Sequence, residues 1–318
     1  MTIHKMNLTE SELKYLQVIS TDSSVTVSHL CSKTGSLASM VRRSLISLED
    51  EGFISKNRIG LTKEIRLSAS RHASIFRDMV LEHRHIPFHK YLGGSSLETL
   101  AAICFLNPKT RKEIAENSSV SEPSVARTIL KLRSVGLIQK KNSSYIISPE
   151  FAILKDFIIE FRHYLNDRLA RTFSRDSVIL WERNDEFIIE SGTKKEDETN
   201  FHPTGPSTFA RFGVQLFMTV SYHHYSYRIK KITLEQAIVD SFLIPLSSRI
   251  ILPVLLAWKK NETEIDKSLL VRISERYGAR KFVDSIYNYF ATEGKERLAE
   301  LPTWQEFKSK AVEYDMKT

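Results

Sequence analysis

The sequence predicts an α+β protein in which one helix-rich unit is used twice in the N-terminal half, followed by a long helix and a mixed C-terminal half. Three observations predict it. Residues 40–54 and 124–138 align without gaps at an offset of about 84 residues. Helical spacing of apolar residues dominates up to Phe173, and period-two alternation begins near Ser177. Charge is divided unevenly: residues 1–149 hold about 21 Lys+Arg against about 13 Asp+Glu, and residues 150–318 about 25 of each. The formal net charge of +8 thus falls in the first half, as in a polyanion-binding region joined to a neutral module.

The repeat opens with helices. In the first copy, Thr9 and Glu12 are spaced as a capping box ahead of the apolar positions Leu13, Leu16 and Ile19. Val27, Leu30 and Cys31 mark a short second helix, and Thr34-Gly35-Ser36 the turn into a third. In the second copy Leu97, Leu100, Ala101 and Ile103 mark the first helix. Thr110 to Ala115 begins the second helix, and Ser118 to Ser121 makes the turn, with Ser121 as cap and Pro123 in the first turn of the third.

The third helices carry the identity. Val41, Arg43, Leu48, Gly52 and Ile54 recur as Val125, Arg127, Leu132, Gly136 and Ile138. Val41, Leu45 and Leu48, like Val125, Ile129 and Leu132, form one buried stripe. Gly52 and Gly136 stand where a helix ends in the left-handed conformation. Basic turns follow, Ser55 to Gly60 and Gln139 to Ser144, each with a β return, Glu64 to Leu67 or Tyr145 to Ile147. A helix, a glycine stop and a basic two-stranded finger make the back half of a winged helix-turn-helix unit.

At these residues the sequence resembles the winged helix-turn-helix regulators of the MarR and related prokaryotic families, most closely from Ser121 to Ile138. Copy one departs from their pattern, with Leu37 and Ala38 where polar residues are usual. The resemblance implies double-stranded DNA as partner, the third helix entering the major groove and the wing reaching phosphates. The outward positions expected are Ser36, Ser39, Arg43, Ser44 and Ser47 in copy one, and Ser121, Glu122, Ser124, Arg127, Thr128 and Lys131 in copy two. Arg43 and Arg127 are the expected groove contacts, because a guanidinium can bridge guanine O6 and N7. Lys56, Arg58, Lys140 and Lys141 are the expected phosphate contacts. The same faces could instead be solvated surface or serve a protein contact.

The domains expected are a winged helix unit over 1–70, a connector helix over 71–92, a second unit over 93–149, a connecting helix over 150–175 and an α+β module over 176–318. The connector is apolar at Ile75, Met79 and Val80 and is broken by Pro87. It carries His83, His85 and His89 without a closed ligand set, so no metal is expected. The connecting helix shows Phe151, Leu154, Phe157, Ile158, Phe161, Leu165 and Leu169, a stripe that could also serve a homodimer.

Beyond it, Ser177–Trp181 and Glu186–Glu190 read as a hairpin, Thr193–Thr199 as a charged loop, Phe201–Pro206 as punctuation and Val214–Val220 as a strand. Helical spacing returns from Thr233 onward. The run Ile232 to Asp240 resembles a helix start of AbiEi-type antitoxins, with Tyr277 to Arg280 consistent with it. That resemblance implies a repressor of its own operon with a toxin as protein partner. Thr233 and Gln236 also fit a capping box, with Glu235 and Asp240 as ordinary helix-start acids.

The rival classes are a metal-dependent nucleic-acid enzyme, using Glu182, Asp185 and Glu186 with His202, His223 or His224, and a pure interaction adaptor. No glycine-rich phosphate loop, Gly-x-Ser-x-Gly elbow or His-Glu-x-x-His helix accompanies those residues. No cofactor is expected. Residues Met1–Asn7 lack a signal-peptide pattern, and the apolar run Ile250–Trp258 is too short to span a bilayer. Cys31 and Cys104 read as buried free thiols, which together with the absent leader predicts a cytoplasmic protein without a membrane partner.

Overall fold

The computed structural model describes residues 5–22, 24–59, 62–195, 200–314 and 316. The chain is α+β and forms two compact units, Thr2–Asn166 and Asp167–Thr318.

The first unit holds both copies. Copy one is α1 (Glu10–Thr21), α2 (Val27–Thr34) and α3 (Ala38–Asp50), then the antiparallel strands β1 (Ile54–Ile59) and β2 (Thr62–Leu67). Thr9 and Glu12 close the expected capping box: Glu12 N donates to Thr9 Oγ1 at 3.2 Å and Thr9 N to Glu12 Oε2 at 2.7 Å. Copy two is α6 (Ser96–Leu106), α7 (Arg111–Ser118) and α8 (Glu122–Ser134), then β3 (Ile138–Lys141) and β4 (Ser144–Ile147), again antiparallel. The repetition extends to one backbone detail. Val25, before α2, exchanges hydrogen bonds with Ile65 of β2, and Pro108 O, before α7, accepts from Tyr145 N of β4 at 2.8 Å.

The basic turns are shorter than expected. Residues 55–59 lie in β1, and Gly60 lies outside the described residues. In copy two only Asn142 and Ser143 turn, at φ +49° and +66°, the two left-handed residues of a tight hairpin whose twist matches its strands. The lysines therefore project from strands.

The connector and the front of the connecting helix are not separate from the copies. Helices α4 (Arg71–Glu82) and α5 (Phe88–Leu92) pack on α1. A single-turn 3₁₀ helix, Pro149–Phe151, leads into α9 (Ala152–Phe173). The α9 rings of Phe157 and Phe161 lie 6.2 and 4.9 Å from Phe53. One apolar core runs from Met6 through both copies to Leu165, so the expected limits at 70, 92 and 149 are not breaks in packing. The stripe considered for a homodimer is buried within the chain, from Phe151 to Leu169. The unit boundary falls inside α9, between Asn166 and Asp167, rather than at 175.

The second unit holds a four-stranded antiparallel sheet in the order β5-β6-β8-β7. Strands β5 (Val178–Arg183) and β6 (Glu186–Ser191) form the expected hairpin through Asn184-Asp185, with Asn184 at φ +56°. The run 214–220 is not a strand: it has no regular structure, with Val214 buried and Phe217 fully exposed. The remaining strands are β7 (Phe201–Pro203) and β8 (Ser221–Tyr225). Pro203 fits because β7 is an edge strand, where a missing N–H costs no ladder bond. Part of the expected charged loop, residues 196–199, lies outside the described residues. A 3₁₀ helix, Gly205–Phe212, and helices α10 (Leu234–Ser241), α11 (Ser248–Lys260), α12 (Lys267–Tyr277), α13 (Arg280–Ala291) and α14 (Trp304–Val312) complete this unit. Among the described residues no helix is long and apolar enough to cross a membrane. Cys31 and Cys104 are free and half-buried, and burial pushes the Cys104 thiol up to about 11.

Candidate nucleic-acid interface

Each third helix turns its apolar stripe inward and its arginine outward. Val41, Leu45 and Leu48, and likewise Val125, Ile129 and Leu132, are buried, while Arg43 and Arg127 are exposed. Ser39 in α3 and Ser121, Glu122 and Lys131 at α8 are also exposed. Ser36, Ser44, Ser47 and Ser124 are half-buried. Thr128 corrects the expectation: it is buried, 6% exposed. It lies three residues after Val125 and four before Leu132, on the inward side of the helix, and its hydroxyl is 3.5 Å from that of Ser95.

The start of α8 differs from a simple cap. Ser121 occupies the cap position, but its hydroxyl makes no bond to the helix amides. It donates instead to Ser124 Oγ at 3.0 Å, and Arg127 Nη2 donates to the same oxygen at 3.2 Å. The bond to a residue one turn earlier draws the guanidinium toward the helix N-terminus, the end that meets base edges in a groove-bound helix. Ser36 is tied back in turn, accepting from Thr34 Oγ1 at 3.0 Å.

The two hairpins differ electrostatically. Lys56, expected at a phosphate, has its ammonium 2.6 Å from Glu49 Oε2 of α3 and is only one-fifth exposed. Arg66 is similarly paired with Glu64 at 2.8 Å. Arg58 is exposed on β1. In copy two the position matching Glu49 is Arg133, which is exposed. Lys140 and Lys141 are exposed, with the Lys140 ammonium 5.2 Å over the ring of its cross-strand partner Tyr145. Lys63 on β2 is exposed as well, so the copies differ chiefly at the helix end, with Glu49 in α3 where α8 has Arg133. At the start of α3, Leu37, one of the two residues by which copy one departs from the polar pattern, is 70% exposed, and Met40, one turn on, is 51% exposed.

The residues weighed for other chemistry are engaged internally. Asp185 accepts both terminal nitrogens of Arg228, at 2.9 and 3.2 Å. Glu186 accepts from Arg276 at 3.0 Å, Ser226 at 2.7 Å and Tyr277 at 3.3 Å. Arginines therefore hold Asp185 and Glu186, two of the three carboxylates weighed for a cation. His202, His223 and His224 are buried in β7 and β8. His224 Nδ1 donates to Asp240 Oδ2 at 2.8 Å. Burial opposes its protonation, yet the Asp240 carboxylate raises the His224 pKa above the ordinary value. Asp240 also accepts from Thr204 at 2.5 Å and Gln236 at 2.7 Å. Thr233 caps α10 through Gln236 N, and Glu235 accepts from Asp266 N at 2.9 Å. The start of α10, Thr233 to Asp240, is thereby fixed by internal hydrogen bonds. In the first unit His89 bonds Gln17 at 2.6 Å and His83 lies against Phe151. Among the described residues no group of three or more His, Cys, Asp or Glu is placed to hold a metal ion.

The second unit also contains a cavity of about 220 Å³ whose lining includes Lys194, Lys195, Arg211 and His223 with Met218 and Val220. Residues 198–316 match the family model HVO_2833_C, C-terminal. The match takes in β7, β8 and α10 to α14, and with them the His224–Asp240 pair. No curated protein matches the chain.

Proposed function

We propose that this chain is a cytoplasmic, sequence-specific DNA-binding transcriptional regulator, a repressor, whose two winged helix units contact one duplex. The observation that carries the reading is the twofold presentation of an exposed arginine, Arg43 or Arg127, on a third helix beside a basic hairpin. Arginine on such a helix matches guanine O6 and N7, and hairpin lysines match phosphates. Copy two is the principal phosphate binder, because Lys140, Lys141, Lys131 and Arg133 lack the acid that holds Lys56 in copy one. The second unit serves an effector, a protein partner or a second copy of this chain. Its basic cavity favours an effector with an anionic group. An antitoxin-like autorepressor is a narrower form of the same reading. The test is selection from a random duplex library with the full chain, followed by affinity measurement across salt. Enrichment of one motif, with affinity falling steeply as salt rises, supports the reading. Absence of any enriched duplex overturns it.

A further inference from the structure

The two third helices align residue for residue, yet their first turns differ in chemistry. Where α8 presents Ser121 and Ser124 ahead of Arg127, α3 presents Leu37 and Met40 ahead of Arg43. Seven large hydrophobic residues are exposed among the described residues, and Leu37 and Met40 are two of them, at adjacent positions on one helix face. Ile46 is a third, but its counterpart Leu130 is exposed as well, so that position does not distinguish the copies.

Leu37 also works against its own helix. It is the N-cap of α3, at φ −70° and ψ 142°, and makes no side-chain bond to the helix amides. A leucine here leaves those amides without a side-chain acceptor and exposes apolar surface. Folding gains nothing from either. What gains is a ligand that brings an apolar group to a positively charged helix start. The first turn of α3 holds no acid, and Arg42 and Arg43 follow within two turns. That charge setting fits a polyanion rather than an ordinary apolar protein face. In duplex DNA the apolar group of the major groove is the C5-methyl of thymine.

We infer that α3 recognises thymine through its methyl group, with Leu37 and Met40 forming the contact beside Arg43, while α8 reads polar base edges through Glu122, Ser124 and Arg127. The inference rests on the DNA-binding function proposed above. The two copies then divide the work, and the site on DNA is an unlike pair of half-sites.

Replacing thymidine by deoxyuridine removes the methyl group and leaves the base-pairing edge unchanged, so the test needs no protein variant at first. The duplex selected by the full chain is resynthesised with deoxyuridine at each thymidine in turn, and affinities are compared. Burial of one methyl is worth about fourfold, so a loss of that size or more is expected at one or more positions. The Leu37→Ser/Met40→Ser chain should bind the thymidine duplex as weakly as the wild type binds the deoxyuridine duplex, and should ignore the exchange. The Arg127→Ala chain should keep the thymidine preference. Equal wild-type affinity for every exchange overturns the inference while leaving DNA binding intact. A preference that persists in the Leu37→Ser/Met40→Ser chain also overturns it. A chain that selects no duplex at all overturns the parent reading instead.

Discussion

Glu98 of α6 and Arg162 of α9 meet at 3.0 Å with both side chains buried, and the other Glu98 oxygen accepts the amide of Met6 at 2.5 Å. One carboxylate thereby joins the segment leading into copy one, the first helix of copy two, and the long helix. The two arginine-bearing helices belong to a single packed body as a result, which fits binding to one duplex at fixed spacing.

This pair gives the first prediction. Glu98→Ala removes the buried carboxylate that Arg162 and the Met6 amide share and should cost about 3–5 kcal/mol in denaturant unfolding. Replacing both partners by apolar residues, Glu98→Leu with Arg162→Met, should cost less than the two single changes summed. Additive losses would show that the two groups are not coupled.

The glycine stops give the second. Gly52 and Gly136 have φ +71° and +73°, so alanine at either carries a left-handed cost of about 1–2 kcal/mol. A Cβ on Gly136 meets open space, whereas on Gly52 it would stand 2.4 Å from the Tyr164 ring. Gly52→Ala should therefore destabilise more than Gly136→Ala, and Tyr164→Leu should recover part of the difference. Thermal unfolding of the four chains checks it.

Two histidines give the third, with opposite signs. His72 is buried against Phe53 and Tyr164, its Nε2 donates to Glu51 O at 3.0 Å, and burial lowers its pKa to about 4. Its neutral form favours folding above pH 6.5, and that contribution is lost as pH falls toward 4. His224, raised by Asp240, contributes below pH 6.5 and loses that contribution as pH rises through its folded value. Imidazole proton resonances should show His72 titrating near 4 and His224 above 6.5. Asp240→Asn should move the His224 midpoint downward and leave His72 in place; an unmoved His224 would contradict the pairing.

Phosphate and base contacts give the fourth. Lys140→Ala should weaken all duplexes alike and make the salt slope shallower by about one unit. Lys56→Ala should change it less, because Glu49 already neutralises that ammonium. Equal effects of the two substitutions would argue against the electrostatic difference between the hairpins.

What was legible followed from period and repetition. The stripe Val41, Leu45, Leu48 and its copy announced two helices of the same kind, and both stripes are buried. Thr128 was misread because a threonine looks polar whichever way its position on the helix faces. Strand β8 escaped notice because its Tyr-His-His-Tyr run carries no apolar alternation, although both faces are buried. Its neighbour 214–220 looked strand-like from its apolar content, but apolar content says nothing of hydrogen-bond partners. The boundary inside α9 was invisible, since the apolar stripe from Leu154 to Leu169 runs across it unbroken. Nor could spacing show that Glu49 would take Lys56, a contact between helix and strand.

In the proposed complex Arg43 and Arg127 meet bases while the basic hairpins meet phosphates. Fluorescence anisotropy of the full chain on its selected duplex, from about 50 to 200 mM salt, measures both at once. Wild-type affinity should fall linearly on logarithmic axes, and Arg127→Ala should lose roughly 1–3 kcal/mol on the selected site with little change in slope. Binding that ignores salt, or that survives Arg43→Ala/Arg127→Ala unchanged, would show that these arginines and hairpins do not hold DNA.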